Sequence, residues 1–199
     1  VSTRDKILDA AAELIGDRGL ARATTKEIAK AAGYSEGTLY KHFDSKTDLF
    51  VAVLAERAQG DLGAALRRLH DRGDQDDLAT ALRDVAVAAV RFYRQGFPMA
   101  ASLFAEPDLL AAHRADLAAR EVGPHLVVRA LSGYLADCRE RGEVAEKTDV
   151  DAAAAMLLGA CFQRAFLAHF TGPDDDPDSA KAFAASLVNT MIEGIGPSR

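Results

Sequence analysis

Cysteine is nearly absent from this chain: Cys138 and Cys161 are the two it has in 199 residues. Two thiols cannot build the disulfide framework that holds small secreted domains together. They read as small buried apolar residues, with a redox-sensing pair as the alternative. Long apolar runs are scarce as well. No stretch is expected to approach the ~18 residues that a membrane span needs, so no membrane partner is expected. The opening residues, VSTRDKILDAAAELI, are amphipathic and charged, unlike the basic end and apolar core of a secretory signal. A cytoplasmic location is the expectation that follows. Alternating β-branched runs long enough for a strand are lacking. So are paired catalytic acids, nucleophile–base pairs and phosphate loops, and the histidines show no H-x-x-x-H spacing. No enzyme, no metal site and no cofactor are therefore expected.

What the chain has is helical periodicity, with 49% hydrophobic residues, enough for one substantial core or a small domain plus a larger one. Its net charge of −6 is unevenly spread. Residues 1–47 carry eight basic and seven acidic side chains, and residues 22–47 carry five against three. The acidity lies in residues 48–199, which carry 16 basic and 23 acidic side chains. An acidic body with a mildly basic head weakens nonspecific attraction to polyanions and leaves more of the affinity to specific contacts.

That basic stretch contains two short helices. Thr24 and Thr25 precede a periodic run, where a hydroxyl caps open backbone N–H groups. Ile28, Ala29 and Ala32 share one helix face, and Ala29 is small enough for a second helix to cross closely. Gly33 can take the positive φ that ends a helix sharply. Ser35 is an N-cap for the next helix, about Glu36 to His42, which turns Leu39 and Phe43 inward. Gly37 lets a partner's backbone come close, and Thr38, Lys41 and His42 face elsewhere. Two short helices joined by a tight glycine turn form the unit whose second helix enters a DNA major groove. Asp44-Ser45-Lys46 reads as a turn and N-cap opening a long helix.

Here a resemblance becomes specific. The stretch TTKEIAKAAGYSEGTLYKHFDSKTDLF resembles the N-terminal domain of the TetR family of bacterial transcriptional regulators. The matching features are the Thr-Thr opening, I-A-x-x-A-G, S-x-G-T-L-Y, the following Phe, and S-K-x-x-L. The preceding DKILDAAAELIGDRG resembles the family's first helix and its glycine stop, so the resemblance covers roughly residues 3–55. It implies an all-α chain: a three-helix helix-turn-helix domain over residues 1–47, joined by a long helix to a helical effector-binding and dimerisation domain over residues 48–199. It also implies roles. Thr25, Ser35, Tyr40 and Lys46 stand where the family commonly touches phosphates, with Lys26 beside Thr25. Hydroxyl and ammonium groups hold a protein in register on a duplex in this way. Glu36, Gly37, Thr38, Lys41 and His42 stand where base edges or the nearby backbone are met. Lys41 can donate to guanine and Thr38 can pack on a thymine methyl. Glu36 is the odd member, because phosphates repel a carboxylate; it either accepts from cytosine N4 or stabilises the helix N-terminus, the reading preferred here. Tyr34 reads as packing, with phosphate contact as its alternative.

Beyond residue 47 the pattern stays helical. The helix from Ser45 is expected to run about 25 residues, weakened midway by Gly60 and Gly63, with a loop at 71–77. A helix carrying Leu78, Leu82, Val85, Ala89 and Phe92 is expected to break at Gly96-Phe97-Pro98. Further helices are expected around 100–105, from Asp108, from Val122 to Gly142, from Asp149 to about Phe170, and in a last segment through Ile195 after the acidic DDDPD loop. The segment VDAAAAMLLGACFQRAFLAHF is apolar on more than one face and must be covered on nearly all sides. Single-chain burial and a dimer interface both explain it. The resemblance favours the second, a four-helix bundle formed with a symmetry mate by residues 150–170 and 178–195.

Candidate residues for a ligand pocket are Phe92, Tyr93, Phe97, Phe104, His125, Tyr134, Phe162 and Phe166, with Arg91, Arg94, His113, Gln163, Arg164 and His169 as further polar candidates. Each also reads as core or solvated surface. The function these readings support is a homodimeric repressor that binds double-stranded DNA at a palindromic operator and is released by a small, apolar effector. The alternative is a helical ligand- or partner-binding protein that no longer reads DNA, argued from Glu36 and the weak basic charge.

Overall fold

The computed structural model describes residues 1–57, 61–71, 77–172 and 178–194. Among the described residues there are ten α-helices, one 3-10 turn and no strand, as the all-α expectation requires. In chain order the helices are α1 (Thr3–Arg18), α2 (Thr25–Ala31), α3 (Glu36–Leu39), α4 (Lys46–Arg57), α5 (Asp61–Asp71), α6 (Leu78–Phe104), α7 (Pro107–Ala119), α8 (His125–Glu140), α9 (Val150–Thr171) and α10 (Ser179–Glu193). The chain divides into two compact units, residues 1–59 with 96–122, and residues 60–95 with 123–199. This compact division does not follow a cut after residue 47.

In the first unit, Ser2 opens α1 with a reciprocal cap. Its hydroxyl accepts from the Asp5 N–H at 3.1 Å, and the Asp5 carboxylate accepts from the Ser2 N–H at 3.2 Å. Ile7, Leu8, Ala11 and Ile15 make the buried face of α1, and Leu14 is half-buried. Their core is shared with Ile28, Ala29, Leu39, Phe43, Leu49, Phe50 and Val53. Two residues distant in sequence, Leu103 and Leu109, belong to the same core. The α4 helix stays in this unit because its apolar face is buried there and its last turn is ion-paired to α1. Arg4 grips Glu56 with two nitrogens at 2.6 and 2.9 Å, and Arg57 reaches Asp9 at 2.7 Å and Asp5 at 3.2 Å. Of the long helix expected from Ser45, the described residues show α4 and α5, and residues 58–60 between them lie outside the described residues. Gly60 and Gly63 disfavour helix by about 1 kcal/mol each; Gly60 itself lies outside the described residues.

The second unit gathers Leu62, Leu66, Leu82, Val85, Ala89, Leu131, Leu135, Leu157, Leu158 and Val188 into one core. Asp149 caps α9 as expected, its Oδ1 accepting from the N–H groups of Asp151 and Ala152 at 3.1 and 3.0 Å. Gly142, at φ 81°, closes α8: its N–H bonds the Arg139 carbonyl at 3.0 Å and the next N–H, of Glu143, bonds the Cys138 carbonyl at 2.9 Å.

Two expectations are corrected. The break at Gly96-Phe97-Pro98 does not occur: α6 runs 27 residues with Pro98 inside it. A proline costs a helix one hydrogen bond, here to the Arg94 carbonyl. His169 Nε2 lies 3.2 Å from that carbonyl and gives it a partner. The second correction concerns α9, which by length and composition is apolar enough to cross a membrane. The long apolar run was missed because Asp151, Gln163 and Arg164 interrupt it. Of the expected loops, residues 72–76 and 173–177 lie outside the described residues, as does Ile195.

Candidate nucleic-acid interface

The α2–α3 pair is built by caps at every end. Thr24 caps α2: its hydroxyl accepts from the Glu27 N–H at 3.2 Å, and the Glu27 carboxylate accepts from the Thr24 N–H at 3.3 Å. The bonds donated by the Thr24 hydroxyl and N–H, with the Arg18 charge, hold the Glu27 carboxyl below its usual range. This capping box was legible in T-T-K-E, yet the cap was expected from either threonine; Thr25 is the first helical residue and does other work. Gly33, at φ 82°, ends α2 as expected. Its N–H bonds the Lys30 carbonyl at 3.1 Å and the Tyr34 N–H bonds the Ala29 carbonyl at 2.8 Å.

Ser35 caps α3 as expected, accepting from the Thr38 N–H at 3.2 Å. The Ser35 and Thr38 hydroxyls also share a hydrogen bond at 2.9 Å, leaving the Thr38 methyl as its apolar face. The α-helix proper covers Glu36–Leu39, shorter than the expected Glu36 to His42. The chain beyond it tightens into turns, with Lys41 and His42 N–H groups bonded to the carbonyls of Thr38 and Leu39 at 3.2 and 2.9 Å. Leu39 is fully buried and Phe43 nearly so, and these two anchor the turn to the core.

Of the ten residues expected to meet DNA, Lys26, Ser35, Glu36, Gly37, Tyr40, Lys41, His42 and Lys46 are exposed, Thr38 is half-buried and Thr25 is buried. Thr25 keeps 8% of its surface open and donates its hydroxyl to Glu36 Oε1 at 2.6 Å. The Tyr40 hydroxyl reaches Thr25 Oγ1 at 3.4 Å, a long bond, and the Tyr40 side chain is otherwise open. Lys46 holds its ammonium 5.1 Å above the Phe50 ring. Tyr34 is half-buried, and its hydroxyl accepts from Thr3 Oγ1 at 3.5 Å, which fits the packing role. An ideal Cβ placed on Gly37 meets nothing closer than Ser35 Oγ at 3.9 Å, so the fold itself does not demand glycine there. The result is a short helix and following turn, anchored by Leu39 and Phe43, whose turn displays phenol, lysine and imidazole groups outward.

The eight pocket candidates are not gathered into one place. In the second unit Tyr93 packs edge-on against both Phe92 and Phe162, with ring centroids 5.4 Å apart in each pair. Phe166 meets Phe170 at 5.0 Å. Tyr134 is buried beside Cys138, and burial pushes its hydroxyl pKa up. His125 is exposed, and Phe104, 69% exposed, belongs with Phe97 to the first unit. A groove of about 350 Å³ lies instead between α6, α9 and α10, lined by Val90, Arg94, Gln163, Arg164, Leu167 and Phe183 among others. Arg94, Gln163 and Arg164 were among the polar candidates; the aromatic eight do not line it. No cluster of three metal-ligating side chains occurs among the described residues.

Residues 7–53 match the family described as bacterial regulatory proteins, tetR family, and residues 80–193 match the AefR-like transcriptional repressor C-terminal domain. The chain belongs to the TetR family. This TetR-family regulator is 27% identical over 163 residues to the fatty acid metabolism regulator protein of Bacillus subtilis, 77% of each chain being covered. It is 47% identical over 51 residues to the transcriptional repressor KstR2 of Rhodococcus jostii, which is 26% of this chain and 25% of that one. Its fold is that of a solved TetR-family regulator from Mesorhizobium loti, with a TM-score of 0.79 at 20% identity over 96% of this chain and 95% of that one. FadR of Bacillus subtilis, solved in complex with stearoyl-CoA, shares the fold with a TM-score of 0.67 at 22% identity over 96% and 99% of the two chains. The helix-turn-helix and helical C-terminal region of this TetR-family chain are thus those of transcriptional regulators.

Proposed function

We propose that the chain is a homodimeric repressor that reads a palindromic operator and is released by an effector with an apolar part. The observation that carries the DNA-reading part is the outward face of α3 and its turn: Tyr40, Lys41 and His42 stand exposed on the turn that follows α3, and Leu39 and Phe43 fix that turn to the core. The head is only mildly basic, so two copies, placed in major grooves about one helical turn apart, supply the affinity one lacks. Glu36 was the argument for a chain that no longer reads DNA. Its carboxylate is engaged by Thr25, which weakens that alternative.

Dimerisation is supported by α9. Met156, Gly159, Gln163, Leu167 and Phe170 recur every three or four residues and are all exposed, and only 28% of the helix's apolar window is buried within one chain. For the effector, the fatty acid regulator and the stearoyl-CoA complex among the relatives make a long-chain acyl thioester the first class to try. Such a ligand acts by binding the DNA-incompetent state more tightly than the competent one.

The test is selection of bound duplexes from a random pool at near-physiological salt. An enriched palindrome, lost in Lys41→Ala and weakened in Tyr40→Phe, is the expected result. Enrichment of no sequence, or indifference to both substitutions, overturns the reading. Titrating stearoyl-CoA into the selected complex then tests the effector class: release supports it, and unchanged affinity at saturating ligand rejects it.

A further inference from the structure

We propose that Glu36 is a positioning residue of the reading helix, acting through Thr25 and not by touching a base. This rests on the reading of α2 and α3 as a DNA-reading head. A helix of four residues does not hold itself together, because a single turn orders several residues for very few hydrogen bonds. The α3 helix therefore depends on its anchors. Leu39 and the Ser35 cap are two of them. The third is the bond between the side chain that opens α3 and the side chain that opens α2.

Thr25 is buried to 8% exposure, and a buried hydroxyl needs a partner for its proton. It has one proton to give, and that proton goes to Glu36 Oε1 at 2.6 Å. At that length, with an ionised acceptor, the bond belongs to the stronger class. The Tyr40 hydroxyl reaches the same threonine oxygen from the far end of α3 at 3.4 Å, long enough to be given up readily. The three side chains thus tie both ends of the reading helix to the first residue of α2. Two roles follow. The Thr25 proton is committed inside the protein and is not a phosphate donor. The Tyr40 proton, weakly held, can turn to a phosphate when DNA arrives. Glu36 helps a DNA reader although its charge opposes DNA, because the acceptor atom is what the fold uses.

The experiment separates the acceptor from the charge. Glu36→Gln keeps an oxygen for Thr25 and removes the repulsion; it is expected to bind the selected operator at least as tightly as wild type. Thr25→Ser keeps the donor and is expected to stay within about 2-fold. Glu36→Ala and Thr25→Val each lose the bond and are expected to weaken binding about 10-fold, the scale of a hydrogen bond to a charged group. The combined variant is expected to be no weaker than the weaker single one. All variants are expected to keep the wild-type base preference at every position of the half-site. Urea midpoints of the full chain read the same Thr25–Glu36 coupling without DNA and are expected to show the same non-additivity. A changed base preference in Glu36→Ala makes Glu36 a base reader and overturns the proposal, as do additive losses or failure of Glu36→Gln to rescue. A wild-type chain that selects no duplex overturns the DNA-reading role itself; the urea coupling then reports separately on whether the bond anchors α3.

Discussion

Gly37 is the residue where stability and the proposed DNA reading pull in opposite directions. Alanine in a helix is more stable than glycine by about 0.5–1 kcal/mol, and the space beside Gly37 admits a Cβ without any contact shorter than 3.9 Å. A protein selected for stability alone has no reason to keep glycine on an exposed turn. Gly37→Ala is therefore expected to raise the urea midpoint slightly and to lower operator affinity about 10-fold or more, since a methyl group now stands where the duplex approaches; one unmade bidentate base contact is worth about 1–3 kcal/mol. Unchanged affinity would show that nothing comes close there. The cysteines carry the opposite lesson, of chemistry that burial removes. Cys138 and Cys161 are both fully buried, and burial pushes the Cys161 thiol up to about 12 and raises that of Cys138. A thiol reacts as its thiolate, so neither is expected to label with a disulfide reagent at pH 8 until the chain is unfolded. Rapid labelling of the native protein at that pH would restore the redox-pair reading.

Helices were legible wherever periodicity and a cap agreed, and illegible where a distant partner decided the matter. Gly33, Ser35, Gly142 and Asp149 act as the sequence alone led one to expect, because capping is a local exchange of a few hydrogen bonds. Pro98 misled because the Arg94 carbonyl that it leaves without a helical partner finds His169, 75 residues beyond Arg94. The bond between Thr25 and Glu36 was not legible because its two partners belong to different helices. The pocket was the least legible part: aromatic residues at helical spacing are equally good core, and Phe92, Tyr93 and Phe162 pack on one another. At this scale the ties between α1 and α4 give a prediction with a pH signature. The Arg4 hydrogen bonds hold the Glu56 carboxyl below its usual range, against the opposing effect of burial. A depressed carboxylate contributes stability that is present above its unfolded pKa and lost as pH falls through the folded value. Both partners are part-exposed, so the pair is worth about 0.5–1 kcal/mol. Glu56→Gln is expected to lower stability by that amount at pH 7 and to converge on wild type as the pH falls through the carboxyl's depressed folded value. An equal loss at pH 7 and below that value would show that the carboxylate's charge is not what ties α4 to α1.

For the whole molecule the telling imbalance is between surface and charge. The single chain carries a net −6 and only a mildly basic head, yet it leaves Met156, Leu167 and Phe170 at 63, 49 and 74% exposure along one side of α9, with Ile192 of α10 at 52%. Burying a side chain of this size stabilises by about 1.5–3 kcal/mol, so a self-complementary pairing along such a stripe is repaid several times over, once on each copy. Pairing also answers the weakness of the head, because the second half-site is then bound at the high effective concentration of a tethered partner, an advantage of about 10²–10⁴. The two effects are separable. Met156→Glu with Leu167→Glu places two carboxylates on the stripe without touching the head or either core. The wild-type chain is expected to sediment at twice the mass of one chain and the variant at the mass of one. The variant is expected to keep its helical circular dichroism while binding the full palindrome about a hundred-fold more weakly, and to bind an isolated half-site as the wild-type head does. A variant that stays paired moves the interface off α9. One that becomes monomeric and still holds the palindrome at full affinity shows that a single head suffices, and the case for a paired reader then fails with it.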